Sequence, residues 1–163
     1  MSIMLSNSEQ EIERQSELVA DLLLKNGWML TTAESCTGGL IAGACTSLAG
    51  SSNWFERGFV TYSNEAKAES LGVDPALIAG HGAVSETVAR AMASGAVRHS
   101  RARVGVAVTG IAGPAGGSRD KPVGLVWFGF QVDGVLSSES KIFPGDRAAV
   151  RTAQDHRKQR QAD

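Results

Sequence analysis

The run Val104-Gly105-Val106-Ala107-Val108 constrains this chain more than any other stretch. It is almost continuously apolar, the pattern of a strand covered on both faces, and such a strand needs a layer of structure on each side of its sheet. The stretches around it supply those layers. Ser8-Glu9-Gln10-Glu11 has the form of a capping box, and Ile12, Val19 and Leu23 continue as a helical stripe up to Gly27. Trp28 to Thr32 reads as a short buried strand. A second helix follows Ser35, with Leu40, Ile41, Ala44, Cys45 and Leu48 on one face and Gly50 as its stop. Gly58 to Tyr62 reads as another strand and leads into a helix over residues 64–71. Asp74-Pro75 and Ser85 start two further helices, the latter bearing Val88, Met92 and Ala96. Near the end, Asp133-Gly134 between the apolar-patterned runs 123–132 and 135–143 marks a two-residue hairpin. Asp146 can cap a final helix. Strands alternating with helices and then a hairpin predict a three-layer α/β/α fold with a mixed sheet that includes a C-terminal hairpin.

A length of 163 residues fits one domain over residues 1–163. A net charge of -1 argues against a broad nucleic-acid surface, though it leaves room for a local phosphate pocket. Neither a basic-then-apolar leader nor an apolar run of membrane-spanning length is visible, so a membrane role is not expected. Cys36 and Cys45 are the only cysteines. On one helix they would sit about two and a half turns apart, too far to pair, so reduced thiols and a cytoplasmic location are expected. The scattered histidines and cysteines lack metal-ligand spacing, so neither metal nor cofactor is expected. From Thr152 to Asp163 only Ala153 and Ala162 are apolar, and a frayed or disordered tail is expected there.

Three strand ends are followed by small or polar residues, at the rim where open α/β sheets bind ligands. The first carries Thr32-Ala33-Glu34-Ser35-Cys36-Thr37-Gly38-Gly39. Backbone amides at a helix start favour anions, including a developing oxyanion, which makes Thr37, Gly38 and Gly39 candidates for substrate contact. Ser35 or Cys36 has the placement of a nucleophile, although Ser35 or Thr37 would serve equally as a helix cap. The residues alone leave serine and cysteine open. His81 and His99 read as surface residues rather than bases.

The second strand end delivers Tyr62, with Lys67 in the helix behind it. A buried lysine can act as base for a serine when its pKa falls from about 10.4 towards neutrality, and an adjacent phenol can orient it or relay a proton. The third end, Thr109-Gly110-Ile111-Ala112-Gly113-Pro114, has four glycines between positions 110 and 117 and lets the backbone approach a ligand closely. Gly145-Asp146-Arg147 adds an arginine suited to phosphate or carboxylate, with Arg151 one turn on.

Together these motifs, with Gly50-Ser51-Ser52, Trp54 to Gly58, His81 to Ser85 and Lys121 to Gly124, resemble the CinA C-terminal domain family, whose enzymatic members are nicotinamide-nucleotide amidases. The likeness runs in order from about Glu17 to Arg151. It implies hydrolysis of nicotinamide mononucleotide to nicotinic acid mononucleotide and ammonia, a salvage step in pyridine nucleotide recycling. It further implies Ser35 as nucleophile, Lys67 as its base and Tyr62 as an assisting hydroxyl. Thr109, Gly110 and Gly113 would line the site, and Arg147 would hold the phosphate. Family members are typically homo-oligomers without metal; longer relatives carry an additional N-terminal domain, which is not expected here. The rival expectation is a non-catalytic nucleotide-sensing or competence-linked module of the same fold. One departure stands out: the family's last helix continues beyond Gly145-Asp146-Arg147 with apolar residues, and the stretch from Thr152 to Asp163 here does not.

Overall fold

The computed structural model describes residues 7–152. In chain order the elements are α1 (Asn7–Asn26), β1 (Leu30–Glu34), α2 (Leu40–Thr46), a 3-10 turn (Ser51–Asn53), β2 (Phe55–Val60), α3 (Asn64–Leu71), α4 (Pro75–His81), α5 (Glu86–Arg98), β3 (Val104–Gly110), β4 (Leu125–Val132) and β5 (Val135–Ile142). Residues 147–152 are helical again. The remainder of the polar tail, 153–163, lies outside the described residues.

The five strands form one sheet in the order β2-β1-β3-β4-β5. β1 runs parallel to both β2 and β3, whereas β3-β4 and β4-β5 are antiparallel. The sheet is therefore mixed and ends in the expected hairpin. Asp133 and Gly134 both take positive φ, 48° and 84°, the turn geometry that matches the twist of paired strands.

Side-chain alternation along β1 and β3 divides the core into two layers. Val104, Val106 and Val108 face α1 and α2, packing with Val19, Leu23, Ile41, Cys45 and Trp54. Ala33 and Ala107 face the other way, against Leu71, Val88, Met92 and Ala96 from α3 and α5. Helices thus cover both faces, as the apolar run at 104–108 demands. α5 seats directly on the sheet because Gly129 has no side chain, since a Cβ there would run into the Ala89 carbonyl.

Most local signals were met. Asp74 accepts from Ala76 N at 2.9 Å with Pro75 in the first turn, and Ser85 accepts from Val88 N at 3.3 Å. Asp146 caps the terminal segment by accepting from Ala149 N at 2.9 Å. Five expectations need correction, one being the second strand, expected at Gly58 to Tyr62 and found at Phe55–Val60. α1 already includes Asn7, so Ser8 is a helical residue and not a cap. The first strand lies two residues later than expected, at Leu30–Glu34. The helix after Ser35 starts only at Leu40, because Gly38 and Gly39 take positive φ, 58° and 107°, which no right-handed helix admits. Leu40 itself, expected on the buried face, is exposed.

Candidate active site

Parallel pairing brings the carboxyl ends of β1, β2 and β3 to one rim. Glu34 stands opposite Val60 on one side and Val108 on the other. The ladder continues one step further, with Thr61 N donating to Glu34 O at 2.8 Å and Ser35 N donating to Val108 O at 3.2 Å. Ser35 is therefore held by its own backbone at the strand end, and Gly38 N donating to Ser35 O at 3.0 Å closes the turn behind it.

The anion at the start of α2 is part of the protein. Glu34, 0% exposed, turns its carboxylate towards α2. It accepts from Ile41 N at 3.0 Å, Ala42 N at 3.1 Å and Thr37 Oγ1 at 2.6 Å. Those helix-terminal amides, expected to be open to a ligand, are occupied by this side chain. The hydroxyl of Thr37 is spent in the same cluster. What Thr37, Gly38 and Gly39 offer a ligand is the turn itself. Sequence reasoning included Glu34 in the motif without giving it a role. A carboxylate four or more residues before a helix is too distant to read as a cap.

Lys67 comes from α3 and is 1% exposed. Its Nζ lies 3.2 Å from Ser35 Oγ and donates to the Thr61 carbonyl at 3.0 Å, with the Tyr62 carbonyl at 3.4 Å and the Ser63 carbonyl at 3.5 Å. Burial pushes its pKa below the ordinary lysine value, and the Cys36 thiol partly opposes that shift. Nζ stands as a donor to Ser35 Oγ and to these carbonyls; once Lys67 loses a proton, the carbonyls can keep its remaining two and its lone pair can turn to the Ser35 hydroxyl, as a base requires. Cys36 belongs to the apolar cluster with Val108 and Ile41. A Cβ placed on Gly110 would come within 3.2 Å of its sulfur.

Tyr62 reaches this pair through its main chain. Its side chain is 60% exposed, and its hydroxyl accepts from Arg147 Nη2 at 2.7 Å. Arg147 also donates through Nη1 to the Gly113 carbonyl at 2.9 Å, so it ties the glycine-rich loop to the end of β2. Thr109 is buried and donates to the Ala83 carbonyl at 2.8 Å, anchoring the segment before α5. Gly110 and Gly113 permit close packing: a Cβ on Gly113 would stand 2.5 Å from Val123 Cγ1, and one on Gly110 would stand 2.8 Å from Val126 Cγ2.

A cleft of about 670 Å³ opens beside this rim, lined by Ala112, Pro114, Val123, Asp146, Arg147 and Arg151. Arg151 donates to the Thr37 carbonyl at 3.3 Å, which connects the cleft to the turn after Ser35. Among the described residues neither arginine is in a salt bridge with a carboxylate. His99 is remote from the rim, with its ring against the Gly95 carbonyl where α5 ends. Among the described residues no group of three or more His, Cys, Asp or Glu side chains assembles to hold a metal, and no helix is long and apolar enough to cross a membrane.

A three-layer α/β protein with a serine and a buried lysine at the carboxyl rim of its parallel strands, beside an arginine-lined cleft, defines the class. The chain belongs to the CinA C-terminal domain family, which matches residues 12–157. It is 54% identical over 145 residues to the nicotinamide-nucleotide amidohydrolase PncC of Enterobacter agglomerans, covering 88% of each chain. It is 53% identical over 147 residues to the protein of that name from Escherichia coli K12, again covering 88% of each. Among solved structures it is similar to the competence/damage inducible protein CihA of Agrobacterium tumefaciens, with a TM-score of 0.89 and 43% identity. That likeness covers 99% of this chain and 96% of the other.

Proposed function

We propose that this chain hydrolyses the carboxamide of nicotinamide mononucleotide to nicotinic acid mononucleotide and ammonia, with Ser35 as nucleophile and Lys67 as its base. The observation that carries the reading is the 3.2 Å approach of a buried lysine nitrogen to Ser35 Oγ. Binding alone needs no such pair, and the same contact favours Ser35 over Cys36. The relatives named for this activity supply the substrate.

In the first half-reaction the Ser35 hydroxyl proton passes to Lys67 as Oγ bonds to the amide carbon. Amides of the turn after Ser35, other than that of Gly38, which is bonded to the Ser35 carbonyl, hold the resulting oxyanion. The C–N bond then breaks, and Lys67 returns the proton to the departing nitrogen, which leaves as ammonia. Water releases the acyl group in the second half-reaction. Arg147 and Arg151 hold the phosphate in the cleft, and the Tyr62 hydroxyl keeps Arg147 aimed there. The exposed Leu18, Leu22, Leu24, Leu40 and Val60 fit a homo-oligomer. Two buried thiols, Cys36 and Cys45, not joined in a disulfide, fit a reducing cytoplasm.

The test is ammonia release from nicotinamide mononucleotide against free nicotinamide, in wild type and Ser35→Ala. Release from the nucleotide alone, lost in Ser35→Ala with nucleotide binding retained, is expected. Near-wild-type turnover by Ser35→Ala removes the serine from its role.

A further inference from the structure

Thr61 has a hydroxyl that nothing among the described residues uses. It is 1% exposed, and its Oγ1 has no hydrogen-bond partner. A buried hydroxyl left unmade is costly, and one that persists beside a site calls for a ligand or an ordered water. Ser16 and Thr32 also carry unpartnered buried hydroxyls, but Ser16 lies midway along α1 and Thr32 lies against Gly58 on the α2 side of the sheet. Thr61 differs by its place.

The register puts Thr61 level with Ser35, since Val60 pairs with Glu34 and the ladder bond from Thr61 N to Glu34 O follows directly. Adjacent strands lie about 4.8 Å apart. Alternation settles the face. Glu34 points to α2, while Ala33 on β1 and Phe59 on β2 pack with the α3 and α5 layer. Ser35 and Thr61 both fall on that second side, where Lys67 enters and bonds the Thr61 carbonyl. The third residue of the row, Thr109, has committed its proton to Ala83. Thr61 is thus the uncommitted hydroxyl beside the nucleophile and its base.

We infer that Thr61 Oγ1 holds the water that releases the acyl group, an inference that rests on the Ser35–Lys67 hydrolase reading. In the acyl-enzyme, Ser35 Oγ is esterified to the substrate carbonyl carbon. The water donates one O–H to the Thr61 hydroxyl and gives its other proton to the neutral Lys67 amine as its oxygen bonds to that carbon. The C–Oγ bond then breaks, Lys67 returns the proton to Ser35, and the carboxylic acid ionises to solvent. A water held by two groups at a fixed angle attacks faster than one diffusing through the cleft.

Thr61→Val exchanges hydroxyl for methyl at nearly constant shape. Turnover of nicotinamide mononucleotide is expected to fall by about a hundredfold. Ammonia release should become a burst of one equivalent per enzyme, with an acyl adduct on Ser35 visible in the intact mass. The melting temperature should hold or rise, because a buried unpartnered polar group has been removed. Thr61→Ser should restore steady turnover without the adduct. A Thr61→Val enzyme with wild-type turnover, or one that slows without accumulating adduct, overturns the inference. If Thr61→Val does not fold, Thr61→Ala is scored on the same two readouts. Loss of the hydrolase reading is seen separately, as a wild-type chain that releases no ammonia or a Ser35→Ala chain that still does.

Discussion

Removing Glu34 should both unfold the nucleophile turn and lower overall stability, and the structure sets the scale. Its fully buried carboxylate satisfies three donors, the amides of Ile41 and Ala42 and the Thr37 hydroxyl. Glu34→Ala leaves all three orphaned in the interior, each costing about 1–3 kcal/mol. Part of that total is offset because a buried charge no longer has to be desolvated. A net loss of about 3–5 kcal/mol is expected, close to that for breaking a buried ionic network. For a chain of this size about 2–4 °C accompanies each kcal/mol, so the melting temperature should fall by about 6–20 °C. Glu34→Gln keeps the shape and one acceptor oxygen but turns an NH₂ group towards an amide donor, and should lose about 2–3 kcal/mol. Thermal denaturation followed by circular dichroism measures both variants, and ammonia release measures the displacement of Ser35. A Glu34→Ala chain that melts within about 2 °C of wild type would refute the reasoning, because no cluster of three satisfied donors can then depend on that carboxylate.

The remaining predictions concern charge. Burial lowers the Lys67 pKa, so kcat/KM should rise with pH as Lys67 loses its proton and then level off below the ordinary lysine range; a flat profile across pH 6–10 (roughly the span to about 10.4) removes Lys67 as base. The same shift makes the unfolded chain bind more protons than the folded one between the two pKa values. Stability should therefore climb with pH through that window, and Lys67→Met should flatten the climb in urea titrations taken at several pH values. Arg147→Ala should raise KM for the nucleotide more than it lowers kcat, since it removes binding common to ground and transition states. The reverse pattern would take Arg147 out of phosphate binding.

Much of the architecture was legible because its signals are local. Asp74-Pro75, Ser85 and Asp133-Gly134 each act within a few residues of themselves, and the structure uses them as their chemistry suggests. β1 was harder to place. Thr31, Thr32 and Glu34 look like surface residues, yet all are buried because helices cover both faces of the strand. Thr31 finds its partner only through distant chain, donating to the Arg57 carbonyl at 2.8 Å, 26 positions away. No window along the sequence contains that information. The start of α2 was misplaced for a different reason. Gly38 and Gly39 were read as part of the helix start, when their positive φ delays the helix and creates the turn behind Ser35.

The same two-residue period explains why the site is arranged as it is. At the end of β1, consecutive side chains must point to opposite faces. Glu34 is driven towards α2, where the helix start supplies donors for a buried anion, and Ser35 is driven towards α3, where Lys67 waits. The anchor and the nucleophile are thus adjacent in sequence but on opposite sides of the sheet, so the turn can be held rigidly without crowding the reacting hydroxyl. At the end of β2 the period runs on from Phe59 and Val60 through Thr61 and Tyr62 just beyond the strand. It sends Thr61 to the Ser35 side and leaves Tyr62 exposed, where its phenol meets Arg147 while its carbonyl meets Lys67. Counting alternation from the buried strand centres outward would therefore have singled out Thr61 rather than the more conspicuous Tyr62 as the side chain on the nucleophile's face of the sheet. Where three parallel strands end together, the face a residue occupies says more about its chemistry than its type does.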